Sequence, residues 1–140
     1  ASTIYIVGGS SDINKAENLE NILKIKLPRN NVINLTGKTN LSEVLTLLSE
    51  AKKLITIDSG ILHLARLVKA KTKVFWGPSD PALRIQNENI EIEENIYKKI
   101  SCSPCVHLID NPPCNGHNLC MKVHVNKNKT SQSEINWAIK

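Results

Sequence analysis

Side chains able to do chemistry gather at three places along this chain. The first is Asp58-Ser59-Gly60 with His63: an acid, a hydroxyl, a glycine and an imidazole around the end of the apolar run Leu54 to Ile57. Where a strand passes into a helix, the first-turn N–H groups and the helix dipole attract anions, and a glycine lets a phosphate come close. A second apolar run ends in Trp76-Gly77-Pro78-Ser79-Asp80-Pro81. Strand, tight turn, helix and strand in that order put the acid at the carboxyl end of a parallel strand, where open α/β sheets bind ligands. A phosphorylated ligand is the expectation. The competing structural role uses the same residues, with Asp58 or Ser59 as helix cap and Gly60 as turn residue.

The second place is a pair of glycine turns. Gly37-Lys38-Thr39 lacks the upstream glycine of a phosphate-binding P-loop, since position 32 is Val. Gly8-Gly9-Ser10-Ser11-Asp12 lacks the three-glycine spacing of a dinucleotide fingerprint. Both read as turns, yet each follows a strand and leaves Asp12, Lys38 and Thr39 on the sheet's carboxyl rim. A carboxylate there can accept both hydroxyls of a ribose. The third place is Cys102-x-x-Cys105 with Cys114 and Cys120, a density of thiols that suits a four-ligand structural zinc site. Reduced thiols or two local disulfides are the plainer readings.

The elements that must carry these groups alternate. Strands are expected at Ile4 to Val7, Val32 to Leu35, Leu54 to Ile57 and Lys73 to Trp76. Helices are expected from Asn14 to Ile25, along the apolar face Leu41, Val44, Leu45, Leu47 and Leu48, and from Ile61 to Lys69. Asn40 with Glu43 suits a capping box. Strands interleaved with helices at this spacing imply a mostly parallel Rossmann-like open sheet with flanking helices. Beyond Pro81 an edge strand at Asn89 to Glu93, a loop over 102–120 and a terminal helix at Ser133 to Ile139 complete the reading. The core would thus span 1–100, the cysteine-containing loop 101–125 and the terminal helix 130–140, all within one domain.

Composition narrows the classes. A chain of 140 residues with 41% hydrophobic content can bury a core as one domain. No run approaches the ~20 apolar residues of a membrane helix, and no leader pattern opens it, so a cytoplasmic setting fits. The net charge of +5 and pI near 9.1 favour an acidic partner, but the cations are scattered and form no block.

Asp58-Ser59-Gly60-x-x-His63-Leu64-Ala65, Trp76-Gly77-Pro78-Ser79-Asp80-Pro81, Asn34-Leu35-Thr36-Gly37-Lys38-Thr39-Asn40-Leu41, and Cys102-Ser103-Pro104-Cys105 with Cys120-Met121 together resemble glycosyltransferase family 9, the ADP-heptose:lipopolysaccharide heptosyltransferases. The likeness covers nearly the whole chain and falls on the family's C-terminal, donor-binding domain. It implies a GT-B enzyme that transfers heptose with inversion and without a metal cofactor. The acceptor would be the lipid A–Kdo inner core of lipopolysaccharide or a growing oligosaccharide, with peripheral contact at the inner membrane and no nucleic-acid partner. Asp58, Ser59, Gly60 and His63 would meet the diphosphate and sugar, Asp12 the ribose, and Thr39 the adenine, with Lys38 beside it.

The family's catalytic base lies in an acceptor domain without counterpart here, and the first βα unit of the donor domain, with a phosphate-contacting Lys, is missing too. No catalytic residue is therefore assigned, and these residues alone are expected to bind donor but not to transfer sugar. Two other classes remain open: a zinc-ribbon nucleic-acid module, disfavoured by an aromatic content of 4%, and a non-catalytic remnant of the fold.

Overall fold

The computed structural model describes residues 2–84, 92–106 and 108–125. Its contacts divide the chain into two compact units, residues 1–47 and 48–140. Each is built on parallel strands with helical connections, the Rossmann-like α/β arrangement expected.

In the first unit β1 (Thr3–Ile6) and β2 (Asn31–Asn34) pair in parallel, Thr3 opposite Asn31 and Ile6 opposite Asn34. The crossover is α1 (Ile13–Lys26), one residue longer at each end than its apolar spacing implies. Ala16 and Val32 are buried, and Leu27, just before Pro28, closes the helix by donating to the Leu23 carbonyl at 2.8 Å. Leu19, Ile22 and Ile25 on α1 remain exposed.

Helix α2 (Leu41–Glu50) starts as its sequence dictates. The Asn40 N–H donates to Glu43 Oε2 at 2.8 Å and the Glu43 N–H to Asn40 Oδ1 at 3.0 Å, a reciprocal capping box that satisfies two first-turn donors.

The second unit holds a parallel sheet in the order β3 (Leu54–Ile57), β4 (Thr72–Trp76), β5 (Glu93–Tyr97). Helix α3 (Gly60–Leu67) links β3 to β4. Leu62, Val74 and Trp76 are fully buried, with Tyr97 packed against them. β5 begins at Glu93, where the sequence suggests an edge strand ending there; residues 85–91 lie outside the described set. Polar pairing fixes that register. Arg66 makes a bidentate bridge to Glu93 at 2.9 and 2.8 Å with both side chains buried, and the Trp76 indole donates to Asn95 Oδ1 at 2.6 Å.

The described strands form two parallel sheets, one in each unit. One expectation needs amendment. Within the expected 102–120 loop a short helix, α4 (Leu119–Lys122), begins, because Asn118 in the left-handed region redirects the chain and the Met121 and Lys122 amides close on its carbonyl. The terminal helix expected at 130–140 lies outside the described residues. Among the described residues no helix is long and apolar enough to cross a membrane.

Candidate functional site

β3 delivers Asp58 and Ser59 to the start of α3, and the helix starts without a side-chain cap. Ser59 holds the N-cap position in extended backbone, yet its hydroxyl turns back to Ile57 O (3.3 Å) and Thr56 Oγ1 (3.2 Å) instead of forward to the helix. The Asp58 carboxylate and the His63 imidazole make no hydrogen bond among the described residues. Asp58 reaches only the field of Arg66, whose guanidinium is pushed above its ordinary pKa chiefly by hydrogen bonding to Glu93, with Asp58 adding to it. A structural cap would spend the side chain on the helix. Here neither is so spent.

Gly60, the first residue of α3, is exposed, and a Cβ built there meets nothing within 4 Å. Packing does not demand a glycine at this position. What it leaves is open space over a helix N-terminus, with His63 exposed on the same first turn, a place where an anion gains from both the dipole and free donors.

In the first unit the carboxyl ends of β1 and β2 make a second polar patch. The Gly37 N–H donates to Gly8 O at 3.0 Å, and Gly37 adopts a left-handed φ of 72° in a turn closed by the Lys38 N–H on Leu35 O. A Cβ at Gly8 would lie 3.3 Å from Thr36 Cγ2 and 3.7 Å from Asp12 Oδ2, so the missing side chain lets the two approach. Asp12 closes a single 3-10 turn, does not cap α1, and has only a loose pairing with Lys15 at 3.8 Å. The Lys38 ammonium is committed to the Asn34 carbonyl at 3.2 Å. Thr39 is half-buried just beyond. Sequence reasoning missed Thr36, which is buried with its Oγ1 unpartnered; the available signal was a hydroxyl residue between a buried strand and a left-handed glycine.

Among the described residues no group of three or more His, Cys, Asp or Glu side chains is arranged to hold a metal ion, and Cys102, Cys105, Cys114 and Cys120 form no disulfide. Each sulfur answers to local surroundings. Cys120 is buried on α4, where burial first, and then Cys105 and Cys102, push its thiol pKa up. Cys114 lies in a turn whose backbone amides, that of Leu119 foremost, hold its thiol below the ordinary value.

The same segment plugs the end of β4. A Cβ on Gly77 would overlap Met121 Sδ and lie 2.8 Å from its Cγ and 3.2 Å from Cys120 Sγ. Ser103 Oγ donates to the Gly77 carbonyl, the Cys105 and Val106 amides to Pro78 O, and His124 Nε2–H to Trp76 O at 2.7 Å. Asp80 is used as a cap, accepting from the Ala82 amide at 2.9 Å.

Residues 2–112 match the sequence profile of glycosyltransferase family 9 (heptosyltransferase). Over 78 residues, 56% of this chain, the chain is 32% identical to lipooligosaccharide heptosyltransferase 2 of Haemophilus influenzae, of which that stretch is 22%. Over 48 residues, 34% of the chain, it is 35% identical to lipopolysaccharide heptosyltransferase 2 of Escherichia coli, 14% of that protein. The chain therefore spans only a minor part of the length of these curated relatives. No solved structure matches it significantly.

Proposed function

The chain belongs to glycosyltransferase family 9, and on that premise we propose that it is the C-terminal, donor-binding part of a heptosyltransferase-like GT-B enzyme, taking ADP-heptose or a related nucleotide sugar. The observation that carries this reading is the start of α3: an N-terminus without a side-chain cap, open space over Gly60, and Asp58 and His63 beside it with no hydrogen bond among the described residues. The diphosphate would meet the Ser59 and Gly60 amides and the dipole, with His63 as a further donor. Asp12 would accept the ribose hydroxyls and Thr39 would lie along the base. In the transfer, the bond from the anomeric carbon to the diphosphate oxygen breaks, and ADP leaves with the electron pair. The acceptor hydroxyl, on the lipopolysaccharide core, attacks from the opposite face and gives its proton to a base outside these residues. Stabilising the charge that grows on the leaving diphosphate is this part's contribution.

Parallel strands with helical crossovers in each unit are compatible with this reading. These residues alone would bind donor without transferring it, on the cytoplasmic side where nucleotide sugars are held.

Calorimetry tests the reading. ADP should bind the wild-type chain; His63→Ala should weaken it about tenfold by loss of a charge-assisted donor. Asp12→Ala should weaken ADP but leave inorganic pyrophosphate unchanged. Wild-type protein that takes up neither ADP nor pyrophosphate would overturn it.

A further inference from the structure

The amino ends of β3 and β4 carry lysines that the fold does not use. The Leu54 N–H donates to the Lys71 carbonyl at 2.8 Å and Leu54 pairs with Thr72, so the segments that lead into the two strands lie side by side. They hold Lys52, Lys53, Lys69 and Lys71, and Lys73 follows inside β4. Lys53 and Lys73 are held by Glu94, at 3.2 and 2.7 Å. Lys52, Lys69 and Lys71 are exposed, and their ammonium groups have no partner among the described residues. Against these five lysines stand Glu94 and, at the end of α2, Glu50, so the rim keeps an excess of three positive charges.

Lys69 also occupies a position that lysine does not favour. α3 stops in a Schellman arrangement, with the Ala70 N–H on Ala65 O at 2.9 Å, the Lys69 N–H on Arg66 O at 3.2 Å, and Lys69 at a left-handed φ of 53°. Glycine adopts that conformation freely, and lysine does not. A side chain kept against the preference of its backbone points to a role outside the fold. Leu67, two residues earlier and 75% exposed, sets an apolar group beside it.

Cations around an exposed leucine fit a bilayer surface rich in anionic headgroups, where lysines meet the negative potential and the leucine reaches the acyl boundary. A nucleic acid is bound instead through aromatic faces and arginine planes. None of the rim residues is aromatic, and the nearby Arg66 is committed to Glu93. We propose that the rim of Lys52, Lys69 and Lys71 docks on an anionic membrane surface, with Leu67 entering the headgroup layer. The rim lies at the opposite end of β3 from Asp58 to Gly60, so docking turns that strand end away from the bilayer, about 13 Å further out. The inference stands apart from the donor reading, and its failure would leave that reading untouched.

The test is cosedimentation of the chain with phosphatidylcholine vesicles that contain about 30% phosphatidylglycerol, with thermal unfolding recorded for each variant. Wild type should bind them at about 0.05 M salt, leave them near about 0.5 M, and ignore pure phosphatidylcholine. Lys69→Gly should lower binding about fivefold yet melt no lower than wild type, because it removes a cation and relieves the backbone. Lys52→Gln combined with Lys71→Gln should lower binding about 25-fold. Leu67→Ser should weaken it without altering its salt dependence. Lys24→Gln, Lys26→Gln and Arg29→Gln together, which remove cations from the first unit, should bind as wild type does. Wild type that ignores the anionic vesicles overturns the inference, and so does a rim variant that binds like wild type or a first-unit variant that loses as much as the rim variants. Tighter, rim-dependent binding of a single-stranded RNA oligonucleotide would assign the rim to nucleic acid and overturn it as well.

Discussion

Two strand-end turns in the second unit look alike in sequence and have opposite fates. β3 ends in Asp58-Ser59-Gly60 and β4 in Gly77-Pro78-Ser79-Asp80; each combines a glycine, a serine and an acid at the carboxyl end of a parallel strand. Over Gly60 there is open space, and the acid makes no hydrogen bond among the described residues. Gly77 is packed under Met121 and Cys120, its carbonyl is taken by Ser103, and Asp80 is spent on a cap. One glycine faces open space; the other is small because the fold itself approaches. The lesson is that whether a turn motif stays open to a ligand is decided by what the rest of the chain lays over it.

Gly77→Ala gives the largest effect expected from this contrast. Overpacking against α4 should cost about 2–3 kcal/mol, read as a lowered midpoint in chemical denaturation. A variant as stable as wild type would show that α4 does not press on the turn. Gly60→Ala should do the reverse: its stability should be unchanged or higher by about 0.5 kcal/mol, while ADP binding weakens about tenfold because the methyl occupies the approach to the helix N-terminus. Equal affinity for ADP would make the open turn as purely structural as the plugged one.

Thiol chemistry sharpens the same comparison. Amide donors hold the Cys114 thiol low, and burial against the Gly77 turn holds that of Cys120 high, so iodoacetamide near neutral pH should label Cys114 first and Cys120 last. Peptide mass spectrometry reads the order, and early labelling of Cys120 would mean that α4 lifts off the turn. The smallest effect concerns β5, the strand flanking β4. Hydrogen bonding to Lys73, and then Lys53, keeps the Glu94 carboxyl below its ordinary value of 4.5. A carboxyl depressed in the folded state adds stability above its unfolded pKa and loses it as pH falls through the folded one. Glu94→Gln should therefore flatten the acid limb of the melting curve slightly below about pH 4.5, and only slightly, because the side chain is half exposed and screened. An unaltered acid limb would remove these pairs from any account of β5.

The sequence by itself settled the elements and the family. Apolar runs of four or five residues broken by glycine turns place β1 to β4, helical spacing places α1 to α3, and Asn40 with Glu43 announces a cap that forms as read. These are local matters, decided by neighbours within a few positions. The family likeness is equally legible because its motifs are short and contiguous, and the profile match over residues 2–112 agrees with it. Tertiary structure decided what periodicity does not carry. β5 sits four residues later than its alternation suggests, since a buried Arg66–Glu93 pair, 27 positions apart, sets its register. Thiol spacing does not say what a sulfur packs against, and only folding brings Cys120 against Gly77, more than forty residues upstream. Thr36 lies inside a family motif, but nothing in that motif says that its hydroxyl is buried. That its side chain packs against the backbone at Gly8, 28 positions away, is a contact that no local pattern encodes.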